Sequence, residues 1–238
     1  MDWWGWVFPK KCVGCGEWGL LAQTGRYVCE KCEVGLWEEE QICPVCARGS
    51  RYGLRHGYCK RPWSMEGVTA LWAYEGMARK IIASAKYKFH WDFLRELTSL
   101  SVAQLLSRVE LAYFGEFLAS KPVIVPVPLY PKRERERGFN QARIVAQLIS
   151  CTVAQLKVED LLVRVRDTGR QVGKTRESRL KNVEGVFHIT PSNPPLKLRG
   201  GSVLLVDDVW TTGATMNECA KVLRQAGVRR VWGLVLAR

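Results

Sequence analysis

The sequence predicts an α/β fold, a mostly parallel sheet flanked by helices, preceded by a small cysteine-rich module. Two observations predict it. Beyond residue 62, short apolar runs alternate with segments of helical periodicity, the pattern of a doubly wound sheet. Ahead of it lie seven of the nine cysteines, all within the first 59 residues. The expected division is therefore 1–62 and 63–238.

A chain of 238 residues holds one sizeable core plus a small module. Its 36 basic against 23 acidic residues give a formal charge of +13. That excess favours anionic partners, either phosphorylated metabolites or nucleic acid. The opening "MDWWGWVFPKK" lacks the basic n-region and long apolar stretch of a secretory signal. No run reaches the roughly 20 apolar residues of a membrane span. The expectation is a cytoplasmic protein without membrane insertion, a setting in which cysteines serve as metal ligands more than as disulfide partners.

The cysteines come in knuckles. Cys12 and Cys15 form one, Cys29 and Cys32 a second, and Cys43 and Cys46 a third; in the fourth, His56 takes the place beside Cys59. Four two-ligand knuckles supply eight ligands, enough for two tetrahedral Zn²⁺ sites. The expected sets are Cys12, Cys15, Cys29, Cys32 and Cys43, Cys46, His56, Cys59, with an interleaved pairing left open. All positions on each ion would be filled by protein, so the sites read as structural. Each ion would add on the order of 10 kcal/mol of folding free energy to a module with little core. Cys151 and Cys219, in helical runs, read as core or near-core residues.

The second region reads in order. "GVTALWAYEG" is a strand or hairpin arm, and "MARKIIASAKYKF" a helix with Ile81, Ile82 and Ala85 on one face. Residues 91–119 continue as helix on a stripe of Leu94, Leu97, Val102, Leu105 and Leu106. "KPVIVPVPL" is a buried strand, "PKRERERG" a basic turn beyond it, and "GFNQARIVAQLIS" the next helix. "EDLLVRVR" and "VFHI" are strands either side of a long polar segment. "SVLLVDD", "TMNECAKVLRQAG" and "RRVWGLVLA" close the chain as strand, helix and strand.

In such a sheet, ligands bind beyond the carboxyl ends of the strands. Asp207 and Asp208 occupy that edge. Thr211, Thr212, Gly213, Ala214 and Thr215 form the turn into the next helix, where free N–H groups and the helix dipole attract an anion. The carboxylates would repel phosphate, so they suit hydroxyl groups. A ribose 5-phosphate meets both demands. Lys132, Arg133, Arg135 and Arg137 lie just past a strand end, where a pyrophosphate could be met. The segment "RQVGKTRESRLKN", with Arg170, Lys174, Arg176, Arg179 and Lys181, could close over a diphosphate and exclude water.

"VLLVDDVWTTGAT" resembles the phosphoribosyl diphosphate (PRPP) signature of type I phosphoribosyltransferases. "VPVPLYPKRERERGFNQA" (125–142) and "RQVGKTRESRLKNVEGVF" (170–187) are similar to two further hallmarks of the ComF family, the competence-associated phosphoribosyltransferase-like proteins. That family carries an N-terminal double zinc ribbon, so the resemblance spans nearly the whole chain. His56 departs from it, standing where a cysteine is usual. The resemblance implies a type I phosphoribosyltransferase-like domain that takes PRPP with Mg²⁺. Asp207 and Asp208 would hold the ribose hydroxyls, residues 211–215 the 5-phosphate, and Arg137 the pyrophosphate end. Lys174 and Arg176 would join the two aspartates in catalysis. It also implies a role in DNA uptake during natural transformation, alongside competence-machinery proteins such as a DNA helicase. The alternative is a non-catalytic protein that binds single-stranded DNA and uses the PRPP fold for sensing. No residue identifies the acceptor.

Overall fold

The computed structural model describes residues 11–18, 26–36, 40–87, 96, 99, 112–152, 156–168, 182–191 and 200–238. A short helix, Glu30–Val34 (α1), carries the second knuckle, with Cys29 at its N-cap and Cys32 within it, followed by Gly67–Trp72 (β1), Gly76–Tyr87 (α2), Ala112–Ala119 (α3) and Val123–Pro126 (β2). Then come Pro131–Arg137 (α4), Gln141–Thr152 (α5), Leu162–Arg164 (β3) and Phe187–Ile189 (β4). Ser202–Val209 (β5), Ala214–Gln225 (α6) and Arg230–Ala237 (β6) complete the chain.

Four strands form one sheet in the order β1-β6-β5-β2, and every neighbouring pair is parallel. Both of its faces are covered, which is why β5 runs "VLLV" without alternating. Leu204 and Val206 pack into an apolar cluster on one face with Ile81, Phe114, Phe117 and Val145. Val203 and Leu205 pack on the other with Cys219, Leu223 and Phe187. The mostly parallel, helix-flanked sheet expected from the sequence is thus present.

Three local expectations change. Strands β3 and β4 do not join this sheet; they pair antiparallel with each other, Leu162 opposite Ile189. The outer edge of β2 is taken instead by residues 157–159, through Ile124 N–H to Lys157 O (2.8 Å) and Glu159 N–H to Ile124 O (2.9 Å). "PKRERERG" is a helix, not a turn: Pro131 opens it, Glu134 sits in its first turn, Arg135 and Arg137 in its last, and Gly138 closes it. Cys151 lies exposed on α5, whereas Cys219 is fully buried as expected. The leucine and valine stripe at 94–106 lies outside the described residues.

β1 is an edge strand, yet all six of its residues are buried. The covering comes from the cysteine module. Gly53 O accepts from Val68 N–H (2.9 Å), and Leu54 bridges Gly67 in antiparallel sense. The Gln41 carboxamide then acts as a further strand would, donating to Ala70 O (2.8 Å) and accepting from Ala70 N–H (3.1 Å). Gly53 has to be glycine for this approach, because a Cβ there would stand 2.2 Å from Val68 O. The module also straddles the sheet: Cys12, Val28, Cys32 and Leu36 join the cluster on one face, and Ile42 the cluster on the other. No helix among the described residues is long and apolar enough to cross a membrane.

Gln41→Leu fills the same space but leaves two buried backbone groups of Ala70 without partners. It is expected to lower unfolding free energy by about 2–6 kcal/mol, at about 1–3 kcal/mol per orphaned group. Urea unfolding of the metal-loaded protein measures it; a loss below about 0.5 kcal/mol would mean water replaces the carboxamide.

Candidate functional site

Among the described residues, the eight knuckle ligands gather into two clusters, Cys12, Cys15, Cys29, Cys32 and Cys43, Cys46, His56, Cys59. Within each, the donor atoms all lie within 4.8 Å of one another, so the interleaved pairing is not the one formed. Cys12 and Cys32 sulfurs are 3.6 Å apart, and Cys15 and Cys29 sulfurs 3.9 Å. A tetrahedral ion with Zn–S bonds of about 2.3 Å separates its sulfurs by about 3.8 Å, so the donor set fits zinc.

The electrostatics favour a cation. Burial raises the Cys12 thiol, but N–H groups of Cys15, Cys29 and Gly14 outweigh it and bring the pKa down to about 6. Cys43 is likewise lowered, its burial overcome by N–H groups of Cys46, His56 and Val45. Burial and neighbouring sulfurs push Cys32 well up, and Cys59 up to about 11. Each cluster thus makes one thiolate easily and resists the next, and a divalent ion removes that resistance. His56 has a defined role in its set. Its Nε2 lies 3.1 Å from Gly49 O, which can only accept, so Nε2 carries the proton. Nδ1 is left with its lone pair for the cluster: it lies 3.4 Å from Cys46 Sγ, with Tyr58 stacked on the ring and its Oη 3.1 Å away.

The second site lies at the carboxyl edge of the sheet. β5 carries Asp207 and Asp208 just before its last residue, Val209, and Asp207 Oδ1 accepts from the N–H of Asp208 (2.9 Å). Four residues on, α6 starts at Gly213, which adopts a left-handed φ of 73° and offers no side chain to cap the helix. Thr212 Oγ1 accepts from Ala214 N–H, while Thr211 is exposed and Thr215 half-buried. The result is a helix N-terminus beside two carboxylates, with hydroxyls on its rim. Gly213 is required from below as well. A Cβ there would lie 2.1 Å from the Trp210 ring, which is buried against it.

The basic residues divide by helical spacing. On α4, Arg133 and Arg137 are half-buried, whereas Lys132 and Arg135 are exposed. Arg133 is paired with Asp167 at 3.0 Å, and Arg137 Nη1 donates to Gln141 Oε1 at 3.3 Å. Lys174 and Arg176 lie outside the described residues, as do Arg170, Arg179 and Lys181.

Several side chains that shape this edge carry no motif signal. Asn140 caps α5 by accepting from Ala142 N–H, and its Nδ2 holds Val127 O (3.0 Å). Val127 N–H in turn donates to Val206 O, one residue before Asp207. Arg164 is buried on β3; burial lowers its pKa, and so does Arg133, while Asp167 and Asp207 oppose them. Burial, reinforced by the Asp207 charge, drives the Cys219 thiol well above its ordinary value, so it stays protonated. "GFNQ" before an apolar helical run is legible as a cap; a buried arginine in "LVRVR" is not.

A family model described as a double zinc ribbon domain matches residues 3–61, and one described as a phosphoribosyl transferase domain matches residues 135–238. Competence protein F of Haemophilus influenzae is 30% identical over 234 residues, covering 97% of this chain and 98% of that protein. The chain belongs to the ComF family. Other ComF relatives are competence protein ComFC of Streptococcus pneumoniae, 29% identical over 244 residues (96% of this chain, 100% of that protein), and the DNA utilization protein YhgH of Escherichia coli, 26% identical over 226 residues (93% and 92%).

Elemental analysis of the purified protein is expected to give close to two zinc atoms per chain; a value near one would remove the His56 set. Gly213→Ala is expected to destabilise by about 2 kcal/mol or more, from overpacking on Trp210 and the left-handed φ. Adding Trp210→Leu should restore part of that loss in denaturant titrations. If the double variant is no more stable than Gly213→Ala, the close approach to Trp210 is not the reason for the glycine.

Proposed function

We propose that this chain binds PRPP with Mg²⁺ at the carboxyl edge of β5 and serves DNA uptake in natural transformation, as a phosphoribosyltransferase of unassigned acceptor. The observation that carries the reading is the juxtaposition of Asp207 and Asp208 with an uncapped helix start at Gly213. An anion at the helix start and a diol at the carboxylates describe a ribose 5-phosphate. In this reading Arg137, on α4, serves the pyrophosphate, with Lys174 and Arg176 added from segment 170–181. Proteins of the same family named for competence and DNA utilization support the cellular role, and a cytoplasmic location is part of the proposal. The proposed division remains a double zinc ribbon over 1–62 and a phosphoribosyltransferase-like domain over 63–238.

In the proposed reaction, the bond from the anomeric carbon to pyrophosphate breaks and its electron pair leaves with the pyrophosphate. Mg²⁺, when bound with PRPP, supplies charge neutralisation there. Cationic side chains share that task. Asp207 and Asp208 hold the ribose hydroxyls while positive charge develops on the ring, and a nitrogen acceptor then bonds to the anomeric carbon and loses its proton. A second reading, a non-catalytic single-stranded-DNA binder, draws on exposed aromatics in and just after the ribbon module. Trp18, Tyr58 and Trp63 are 62%, 75% and 45% exposed, and the Lys11 ammonium lies over Trp18. Stacking on such rings tolerates any base.

Calorimetric titration is expected to show PRPP binding in the presence of Mg²⁺, with ribose 5-phosphate binding more weakly. Asp207→Asn and Asp208→Asn should each lose about 1.5–3 kcal/mol, the worth of a hydrogen bond to a charged group. Absence of PRPP binding by the wild type at millimolar concentration would refute the site. Binding without pyrophosphate release across a panel of acceptors would favour the sensor reading. In that case, single-stranded DNA binding should fall with a log–log salt slope of roughly 0.7 per phosphate contact.

A further inference from the structure

The second cysteine cluster and the 211–215 loop are far apart in sequence and in contact in space. Pro44, between Cys43 and Cys46, is buried, and its carbonyl accepts a 3.0 Å hydrogen bond from Asn217 Nδ2. Asn217 also donates its backbone N–H to Gly213 O (2.9 Å), which closes the first turn of α6. The apolar packing links the same two regions. Trp210, packed against Gly213, belongs to the same apolar cluster as Ile42, and Ala47 packs on that cluster. Ile42 and Ala47 flank the Cys43–Cys46 knuckle on either side. The knuckle is therefore tied to the residues on both sides of the loop, directly by the hydrogen bond to Asn217 and through the shared apolar cluster to Trp210.

The shape of a four-residue knuckle depends on what its thiols hold. With an ion, Cys43 and Cys46 point at one centre and the Pro44 carbonyl is fixed in direction. Without one, the ligands on 43–46 and 56–59 have no common partner and nothing holds the two knuckles to one centre. We infer that the second metal site positions the 211–215 loop through Asn217 and Trp210, so that metal held by Cys43, Cys46, His56 and Cys59 and a sugar phosphate held at the loop strengthen each other's binding. This rests on the sugar-phosphate reading of the loop. The first cluster supplies an internal control, because Cys12 and Cys32 pack into the apolar cluster on the opposite face of the sheet.

Linkage makes the coupling reciprocal: whatever factor the metal adds to ligand affinity, the ligand must add to metal affinity. The test uses the full chain loaded with Co²⁺, whose d–d absorption differs between a four-sulfur site and a three-sulfur, one-nitrogen site. Loss to a chelator can then be followed at each cluster separately. Saturating ribose 5-phosphate is expected to strengthen Co²⁺ retention at the His56 cluster by about two- to tenfold, the worth of roughly one net hydrogen bond, and to leave the four-cysteine cluster unchanged. Asn217→Ala, a half-buried polar change, should keep both metals, weaken ribose 5-phosphate by a similar factor and remove most of the effect on retention. Equal retention at the His56 cluster with and without ligand, or equal protection of both clusters, overturns the inference while leaving the sugar-phosphate reading intact. If ribose 5-phosphate does not bind the loaded wild type, that reading fails, and hydrogen exchange of the amides of residues 213–217 decides the positioning. Faster exchange after loss of the His56-cluster metal supports it, and unchanged exchange overturns it.

Discussion

The structure depends on the free edge of β1. A parallel sheet needs every buried backbone group paired, and an edge strand presents a row of N–H and C=O groups with no partner. Here that edge is closed by Gln41, Gly53 and Leu54, all from the cysteine module. Covering the edge lets β1 be apolar at every position and lets Trp72 be fully buried near it. The module in turn gains what its own small core cannot give. Cys12 and Cys32, two ligands of the first cluster, pack among sheet and helix residues rather than only against each other. Ribbon and sheet complete one another's cores on both faces.

The same economy of contacts sets the functional edge. β5 lies inside the sheet between β6 and β2; it is held on both sides up to Val206, and beyond that by β6. Val206 accepts from Val127, and Trp210 N–H reaches Ala237 O, which fixes the backbone before and after the aspartates. Two helices start at this edge, α5 after Asn140 and α6 after Gly213. Their N-termini bring positive potential to a place that also holds two carboxylates. Arg164, buried on β3, adds a cation on one side, and Asp167 moderates it and Arg133 together.

The sequence made the fold class, the metal ligands and the acid pair legible because each rests on local pattern. A C-x-x-C spacing, a run of four apolar residues ending in two aspartates, and a helical period are all readable over a few residues. Pro131 and Gly138 carried a local signal too: they mark the start and stop of α4, and only the alternating charges between them suggested a turn. What was not legible depends on distant residues meeting. Nothing in "EEEQICPVC" says that Gln41 will stand in for a strand beside Ala70. Nothing in "LVRVR" says that Arg164 will be buried rather than solvated. The strands β3 and β4 look like sheet members from their composition; they fail to join because residues 157–159 already occupy the edge of β2.

The pairing of β1 has a consequence for how the chain is made. Its strand partner is β6, the last element; Thr69 and Trp232, joined by a 3.0 Å hydrogen bond, stand 163 residues apart. During synthesis from the N-terminus, β1 is complete long before its neighbour exists, and such non-local pairings form late and slowly. Until then, one side of an apolar strand would stay open to other chains. The ribbon precedes β1 directly and contacts it over short separations, as Gln41 to Ala70 and Gly53 to Val68 show. It can fold first around its metals and hold the outer edge of β1 while the rest of the sheet is still being translated. On this view the zinc ribbon acts as a built-in holding device for the nascent chain, and metal supply during translation becomes a determinant of yield.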